Sequence, residues 1–389
     1  MSGPRLRPLP VASGVAALDV MEDLRSALEG SGPAVAPHAA NSPPRPIPDD
    51  LTNLPEDLSL TIGTSGSTGR PKLAMLTSTA LRSSADATHQ RLGGQGQWLL
   101  ALPAHHIAGI QVLIRSVVGG TTPVCMDLAG GFTPAAFASA TAEITSGARA
   151  YTALVPTQLV RLLASADGCR ALARFTSVLL GGAAAPASLL ARAKGFGVRV
   201  VTTYGMSETA GGCVYDGRAL GPSRVLLDDD GRIRLGGATL ALGYLGEPEL
   251  TAESFSRDSQ GMAWFRTDDA GRLDGDNLIV DGRIDDQINT GGLKVVPGLV
   301  EAALVQLDTI AEAVVVGSRD EEWGQVVSAA VVVTDGNLPP TLDEVRGQLR
   351  GILPDHGLPR RLATLPELPL RGPGKPDRAA IRKLFDQSC

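Results

Sequence analysis

The chain has 389 residues, 43% of them hydrophobic, with a formal net charge of -6 at pH 7, enough for a large core divided over more than one domain. No basic stripe interleaved with aromatic residues is present, which excludes a general nucleic-acid binder. Cys125, Cys169, Cys213 and Cys389 are far apart with no C-x-x-C pair, excluding a zinc knuckle and a disulfide framework; without a signal-peptide core or a membrane-length apolar run, a soluble cytoplasmic protein with reduced thiols is expected.

Taken in order, residues 14–29 place Val15, Leu18, Met21, Leu24 and Leu28 at helical spacing, which predicts a short amphipathic helix. Ser31 to Asp50 is rich in Pro, Ala and Asn and reads as an extended connector without a regular element, so the organised fold is expected from Leu58 onward. Leu58, Leu60 and Ile62 alternate with Ser59, Thr61 and Gly63, the pattern of a half-buried strand. That strand runs into Thr64, Ser65, Gly66, Ser67, Thr68, Gly69, Arg70, Pro71 and Lys72. Glycines let consecutive N–H groups converge on an anion, the hydroxyls add donors and Lys72 adds the cation, so this is a candidate phosphate loop. A flexible surface turn is the alternative. It is not a Walker A motif, because Gly-Lys followed by Ser or Thr is missing. A short strand at 73–76 and a helix at 78–92, capped by Thr77 or Ser78, follow.

The apolar run 98–102 predicts a buried strand that breaks at Pro103-Ala104-His105-His106. Its histidines either face a ligand or satisfy a helix N-terminus. The apolar helix over 110–118 carries Arg115, for which snorkelling is the default and pairing or an anionic ligand the alternatives. Helices at 134–145 and 156–165 alternate with strands at 151–155 and 177–180, predicting a mostly parallel sheet covered by helices. Small residues at Gly181 to Ala185 end one of these strands, where ligands of open α/β sheets collect. The strand 198–202 leads into Tyr204-Gly205-Met206-Ser207-Glu208: a flat ring for a base, hydroxyls, and a hard oxygen ligand for magnesium. A surface turn with an incidental carboxylate is the plain alternative.

Beyond Arg218, short alternating strands predict a β-meander ending in an acidic and arginine-rich stretch through Asp269, Arg283 and Asp285. This is either a solvated hairpin edge or a ribose-binding carboxylate site. Gly291-Gly292-Leu293-Lys294, a helix at 297–307, strands at 313–316 and 326–333 and a helix at 342–352 make up a small α+β domain. Near its end Gly374-Lys375 presents one lysine on a tight loop.

Together these stretches resemble the adenylate-forming acyl- and aryl-CoA ligases, from about residue 58 to the C-terminus. The motifs that match in order are 63–72, Tyr204 to Glu208, Thr267 to Gly271, Gly282 to Asp285 and Gly374-Lys375. Within the family, Thr203 to Gly217 and His106 to Gly109 followed by Arg115 are most similar to the short form of the branch that activates o-succinylbenzoate for menaquinone biosynthesis. The resemblance implies an α/β fold: an N-terminal ATP- and acid-binding domain, 1–284, with 1–57 an abbreviated leader, and a mobile C-terminal domain, 285–389. It implies a two-step reaction using ATP, Mg2+ and CoA, in which an acyl-adenylate forms and CoA then displaces AMP.

By the same resemblance, Thr64 to Lys72 would hold the outer phosphates and Glu208, with Thr64, the metal. Ser207 would touch the α-phosphate, Tyr204, Gly182 and Ala183 would flank the adenine, with Gly205 and Met206 beside it, and Asp269 with Arg283 would hold the ribose. Lys375 would serve adenylation, Asp285 the hinge, and Gly291, Gly292 and Lys294 the CoA step. His106, Arg115, Gly205 and Gly212 would line the acid site, Arg115 meeting the second carboxylate of a dicarboxylic aryl acid. His105 departs from the family's usual aromatic residue, and Ser207 from its commoner threonine. About a hundred residues of the larger relatives' N-terminal region are missing here, which leaves the acid-pocket wall and a homodimer open. A ligase for another aryl or fatty acid, a domain loading a carrier protein and a non-catalytic nucleotide binder remain as alternatives.

Overall fold

The computed structural model describes residues 5–44, 47, 54–64, 72–334, 336–371 and 375–386, with only the backbone of Leu370, Arg371 and Lys375. Strands begin well before Leu58, which corrects the expectation that the organised fold starts there and that Ser31 to Asp50 holds no regular element. β1 (Leu6–Val11) pairs in parallel with β2 (Ala34–Ala39), β2 with β3 (Leu58–Gly63), and β3 antiparallel with β4 (Leu73–Thr77). The connector was misread because prolines argue against strands; Pro37 lies on β2 past its Val35–Leu60 pairing with β3, and Pro8 and Pro10 lie on β1, an edge strand where missing donors are tolerated. Residues 14–29 are also not one helix. A 3-10 turn at Gly14–Val20 precedes α1 (Met21–Glu29), leaving Val15 exposed and burying Ala17, Val20, Leu24 and Leu28 instead. β3 is buried on both faces, Ser59 and Thr61 included, so its polar alternation does not mark a solvent side.

The second sheet has seven strands: β5 (Gln97–Leu100), β6 (Val124–Cys125), β7 (Ala150–Leu154), β8 (Ser177–Leu180), β9 (Val200–Met206), β10 (Gly211–Tyr215) and β11 (Arg218–Ala219). Its order is β11-β10-β9-β8-β7-β5-β6, parallel from β9 to β6, with β10 returning antiparallel beside β9. Period-two alternation sends Trp98, Leu100, Tyr151 and Leu179 to one core, and Leu99, Leu154, Val178 and Leu180 to the other. On the first face lie α2 (Ser78–Leu92), whose cap Thr77 accepts from Ala80 N at 3.0 Å, and α3 (Ile107–Gly119). The second is covered by α4 (Pro134–Ala142), α5 (Pro156–Leu163), α6 (Ala166–Leu172) and α7 (Ala187–Gly195).

A five-stranded sheet follows, built from β12 (Ser223–Leu227), β13 (Arg232–Gly237), β14 (Phe255–Arg257), β15 (Ala263–Asp274) and β16 (Asn277–Arg283), with α8 (Pro248–Ser254) before β14. The small C-terminal domain has its own core. It holds the hairpin β17 (Ile288–Thr290) and β18 (Leu293–Val295), the long pair β19 (Ile310–Asp320) and β20 (Gly324–Val333), and β21 (Arg361–Thr364). Val315, Val327 and Val331 pack against α9 (Pro297–Leu304) and α10 (Leu342–Leu349), while Val314, Val316 and Ala330 pack under α11 (Arg378–Asp386). Arg378 ties α11 to α9, donating to both carboxylate oxygens of Glu301 at 2.7 and 3.1 Å. Just before α11, β22 (Leu370–Arg371) and β23 (Lys375–Pro376) form a two-stranded ribbon.

Candidate active site

β3 and β4 end opposite one another, Gly63 in register with Leu73, and Thr64 N donates to Lys72 O at 2.9 Å. The two ends of the candidate phosphate loop are thereby pinned together. Ser65, Gly66, Ser67, Thr68 and Gly69 lie outside the described residues. Beside the loop's ends, β9 stops in a 3-10 turn, Ser207–Thr209, which buries Glu208 at 7% exposure. Ser207 Oγ donates to Gly63 O at 3.0 Å, bridging this turn to β3. Glu208 Oε1 accepts from the Tyr244 hydroxyl at 2.9 Å, and Lys72 Nζ lies 5.2 Å from the centre of the Tyr244 ring. Burial raises the Glu208 carboxyl above its ordinary range, while Tyr244 and Lys72 pull it back.

On the other side of β9, the Tyr204 hydroxyl donates to Asp269 Oδ2 at 2.7 Å. Asp269 on β15 stands opposite Arg283 on β16, and Arg283 donates to Asp285 Oδ1 and Oδ2 at 2.8 Å each and to Asp268 at 3.2 Å. Arg283 of the expected ribose pair is thus hydrogen-bonded to the expected hinge residue Asp285, and it stands across the strand pair from Asp269. Burial raises the Asp269 carboxyl, whereas the hydrogen bond from Arg283 lowers that of Asp285. Met206 closes β9 opposite Gly211, and Gly205 faces Gly212 across β9 and β10; a Cβ on Gly205 would lie 2.2 Å from Gly211 O, so only glycine lets the strands approach there. Gly182, in the left-handed region at φ +81°, and Ala183 follow β8, at the same carboxyl edge of the parallel sheet as Tyr204.

His106 is the N-cap residue of α3, and its ring lies 4.3 Å from that of His105. Further along α3, Gln111 donates to Ala210 O at 2.6 Å, and one turn on stands Arg115. Arg115 does not snorkel: α3 is buried from Gly109 to Val117, the residue is 3% exposed, and its guanidinium lies 5.0 Å from the centre of the Trp98 ring. Nη2 donates to the Tyr215 hydroxyl at 3.4 Å, and Nε has no hydrogen-bond partner among the described residues. Neither, among those residues, do Trp98 Nε1, Gln111 Oε1 or either ring nitrogen of His89.

In the C-terminal domain, Gly291 at φ +58° donates to Trp323 O at 2.9 Å, and a Cβ there would lie 2.5 Å from the indole. Gly292 and Lys294 are exposed on the β17–β18 hairpin. The backbone of Lys375 pairs with Arg371 in the terminal ribbon.

The AMP-binding enzyme family matches residues 13–244, and its C-terminal domain matches residues 299–375. The chain belongs to the AMP-binding enzyme family. It is 43% identical over 388 residues, 98% of both chains, to a Mycobacterium tuberculosis protein named "Probable 2-succinylbenzoate--CoA ligase". To the 2-succinylbenzoate–CoA ligase of Geobacillus sp. it is 30% identical over 356 residues, covering 85% of this chain and 70% of that one. Its fold matches the crystal structure of ATP-bound MatB from Rhodopseudomonas palustris, with a TM-score of 0.81 at 21% identity, over 100% of this chain and 90% of that one.

As an AMP-binding enzyme the chain has a donor set suited to magnesium. Glu208 and Thr64 offer hard oxygens, and no cluster of three or more His, Cys, Asp or Glu able to hold a metal occurs among the described residues. The sequence reading did not single out Tyr244, and it read Trp98 only as part of a buried strand; tertiary contact brings them to Glu208 and Arg115. No helix among the described residues is long and apolar enough to cross a membrane.

Proposed function

We propose that the chain activates 2-succinylbenzoate with ATP and transfers the acyl group to CoA. A carboxylate oxygen of the acid attacks the α-phosphorus, the bond to the bridging β-oxygen breaks, and pyrophosphate leaves. The CoA sulfur then attacks the acyl carbon of the adenylate and expels AMP, the thiol proton passing to solvent. The first step joins two anions, so the protein's work is positioning and positive charge.

The loop from Thr64 to Lys72 holds the β- and γ-phosphates, with Lys72 as its fixed cation, and Ser207 lies at the α-phosphate. Glu208 and Thr64 hold Mg2+, which when bound neutralises phosphate charge. Tyr204, Gly182 and Ala183 flank the adenine, and Asp269 with Arg283 takes the ribose diol. His106 and Gly212 border the acid. The unit from residue 285 onward turns about Asp285, presenting Lys375 for adenylation and then Gly291, Gly292 and Lys294 for the CoA step. The single observation that carries the substrate is Arg115: a buried guanidinium with no carboxylate within ion-pair distance among the described residues fits an acid with a second carboxylate.

Mass spectrometry of reactions containing ATP, Mg2+, CoA and 2-succinylbenzoate tests the reading. It predicts the succinylbenzoyl thioester together with AMP and pyrophosphate. Release of ADP, or turnover of fatty acids alone, would contradict it.

A further inference from the structure

Tyr244 lies in none of the motifs singled out in the sequence, yet it touches both Glu208 and Lys72. Its segment is stitched in on two sides. Ala241 N donates to Glu208 O at 2.8 Å. On the β4 side, Met75 N donates to Gly243 O at 2.9 Å, Leu242 N to Met75 O at 2.9 Å and Leu245 N to Leu73 O at 2.8 Å. The backbone of Tyr244 is therefore fixed to the strand that begins directly after Lys72. Its ring is 4% exposed and meets the Phe255 ring edge-on at 5.6 Å, leaving little room for a second rotamer. A tyrosine buried this deeply needs partners for its hydroxyl; it donates to Glu208 Oε1 and also meets the Ser254 side chain, while Lys72 Nζ rests above the ring.

We propose that Tyr244 is a positioning residue: it holds one oxygen of Glu208, fixes the carboxylate's rotamer for the cation, and registers that carboxylate against Lys72. This rests on the reading of Glu208 as the carboxylate that holds Mg2+. A tyrosine that merely filled the core would make the hydroxyl dispensable, because Tyr244→Phe keeps the ring and its edge contact.

The test is ATP binding to the full chain by calorimetry, in Mg2+ and in EDTA, for wild type, Tyr244→Phe, Glu208→Gln and the double variant, with a melting curve for each. We expect Tyr244→Phe to melt as a folded protein and to bind ATP as wild type does in EDTA. It should lose about tenfold of the Mg2+-dependent gain in affinity, the scale of one hydrogen bond to a charged group. Glu208→Gln should lose the whole gain, and adding Tyr244→Phe to it should change nothing further. The inference is overturned if Tyr244→Phe keeps the full Mg2+ gain, if it weakens ATP equally with and without Mg2+, or if it weakens Glu208→Gln as much as wild type. Should Glu208→Gln itself keep the Mg2+ gain, the assignment of Glu208 fails and takes this inference with it.

Discussion

Replacing Arg115 by methionine separates a specificity role from a structural one. The residue is 3% exposed, and its guanidinium makes one long hydrogen bond of 3.4 Å and stacks 5.0 Å from the centre of the Trp98 ring, while its Nε is left without a partner among the described residues. An unsatisfied buried donor costs about 1–3 kcal/mol, and a desolvated cation–π contact returns about 2 kcal/mol. With the acid absent the two roughly cancel. Exchanging a poorly compensated buried charge for an apolar side chain of similar length is neutral or stabilising by about 1–4 kcal/mol. Arg115→Met should therefore unfold at an equal or higher urea midpoint. With 2-succinylbenzoate present, the lost charge-assisted hydrogen bonds, about 1.5–3 kcal/mol, lower kcat/KM by roughly 10- to 150-fold. An aryl acid lacking the second carboxylate should be used at the wild-type rate within a small factor, as read by initial-rate pyrophosphate release. Equal losses for both acids, or a marked drop in the urea midpoint, would refute the reasoning.

Lys375→Ala should abolish formation of the adenylate but spare thioester formation from supplied acyl-adenylate; a parallel loss of both half-reactions would rule out alternation of the C-terminal domain. His89 gives a pH prediction. Burial, then the charge of Arg115, lowers its imidazole from 6.5 to about 4, with Asp86 opposing. Between those values the unfolded chain binds the extra proton, so the stabilising contribution is complete above pH 6.5 and is lost as pH falls toward 4. At pH 5 the loss from this group is about 2 kcal/mol relative to pH 7. His89→Leu should flatten that part of the stability curve, and urea midpoints that fall equally in wild type and variant would show that His89 does not titrate this way.

The β-strand and helix alternation from β5 to β9 was legible because each strand's two faces enter two separate cores, leaving short apolar runs between amphipathic helices. The glycine-rich and Tyr204 to Glu208 stretches were legible for a different reason: turns and anion contacts restrict residue choice locally. Where tertiary context decided, the sequence misled. The Pro-rich connector argued against a strand at β2, where Pro37 lies past the Val35–Leu60 pairing with β3. Arg115 read as a snorkelling residue because its sequence neighbours do not reveal that α2, β5 and β10 close over it. The link between Asp285 and Arg283 was hidden as well, since a hinge residue and a ribose residue were assigned separately to positions that share two hydrogen bonds. Tyr244, between Gly243 and Gly246, reads locally as an ordinary turn residue, and only its tertiary contacts with Glu208 and Lys72 mark it.

The central claim is tested most directly by exchange of labelled pyrophosphate into ATP, measured in Mg2+ across a panel of carboxylic acids without CoA. Exchange that depends on 2-succinylbenzoate, and is weak or missing with benzoate and with fatty acids, is the predicted result. No exchange with any acid would contradict the account and leave a nucleotide-binding protein that does not activate carboxylates.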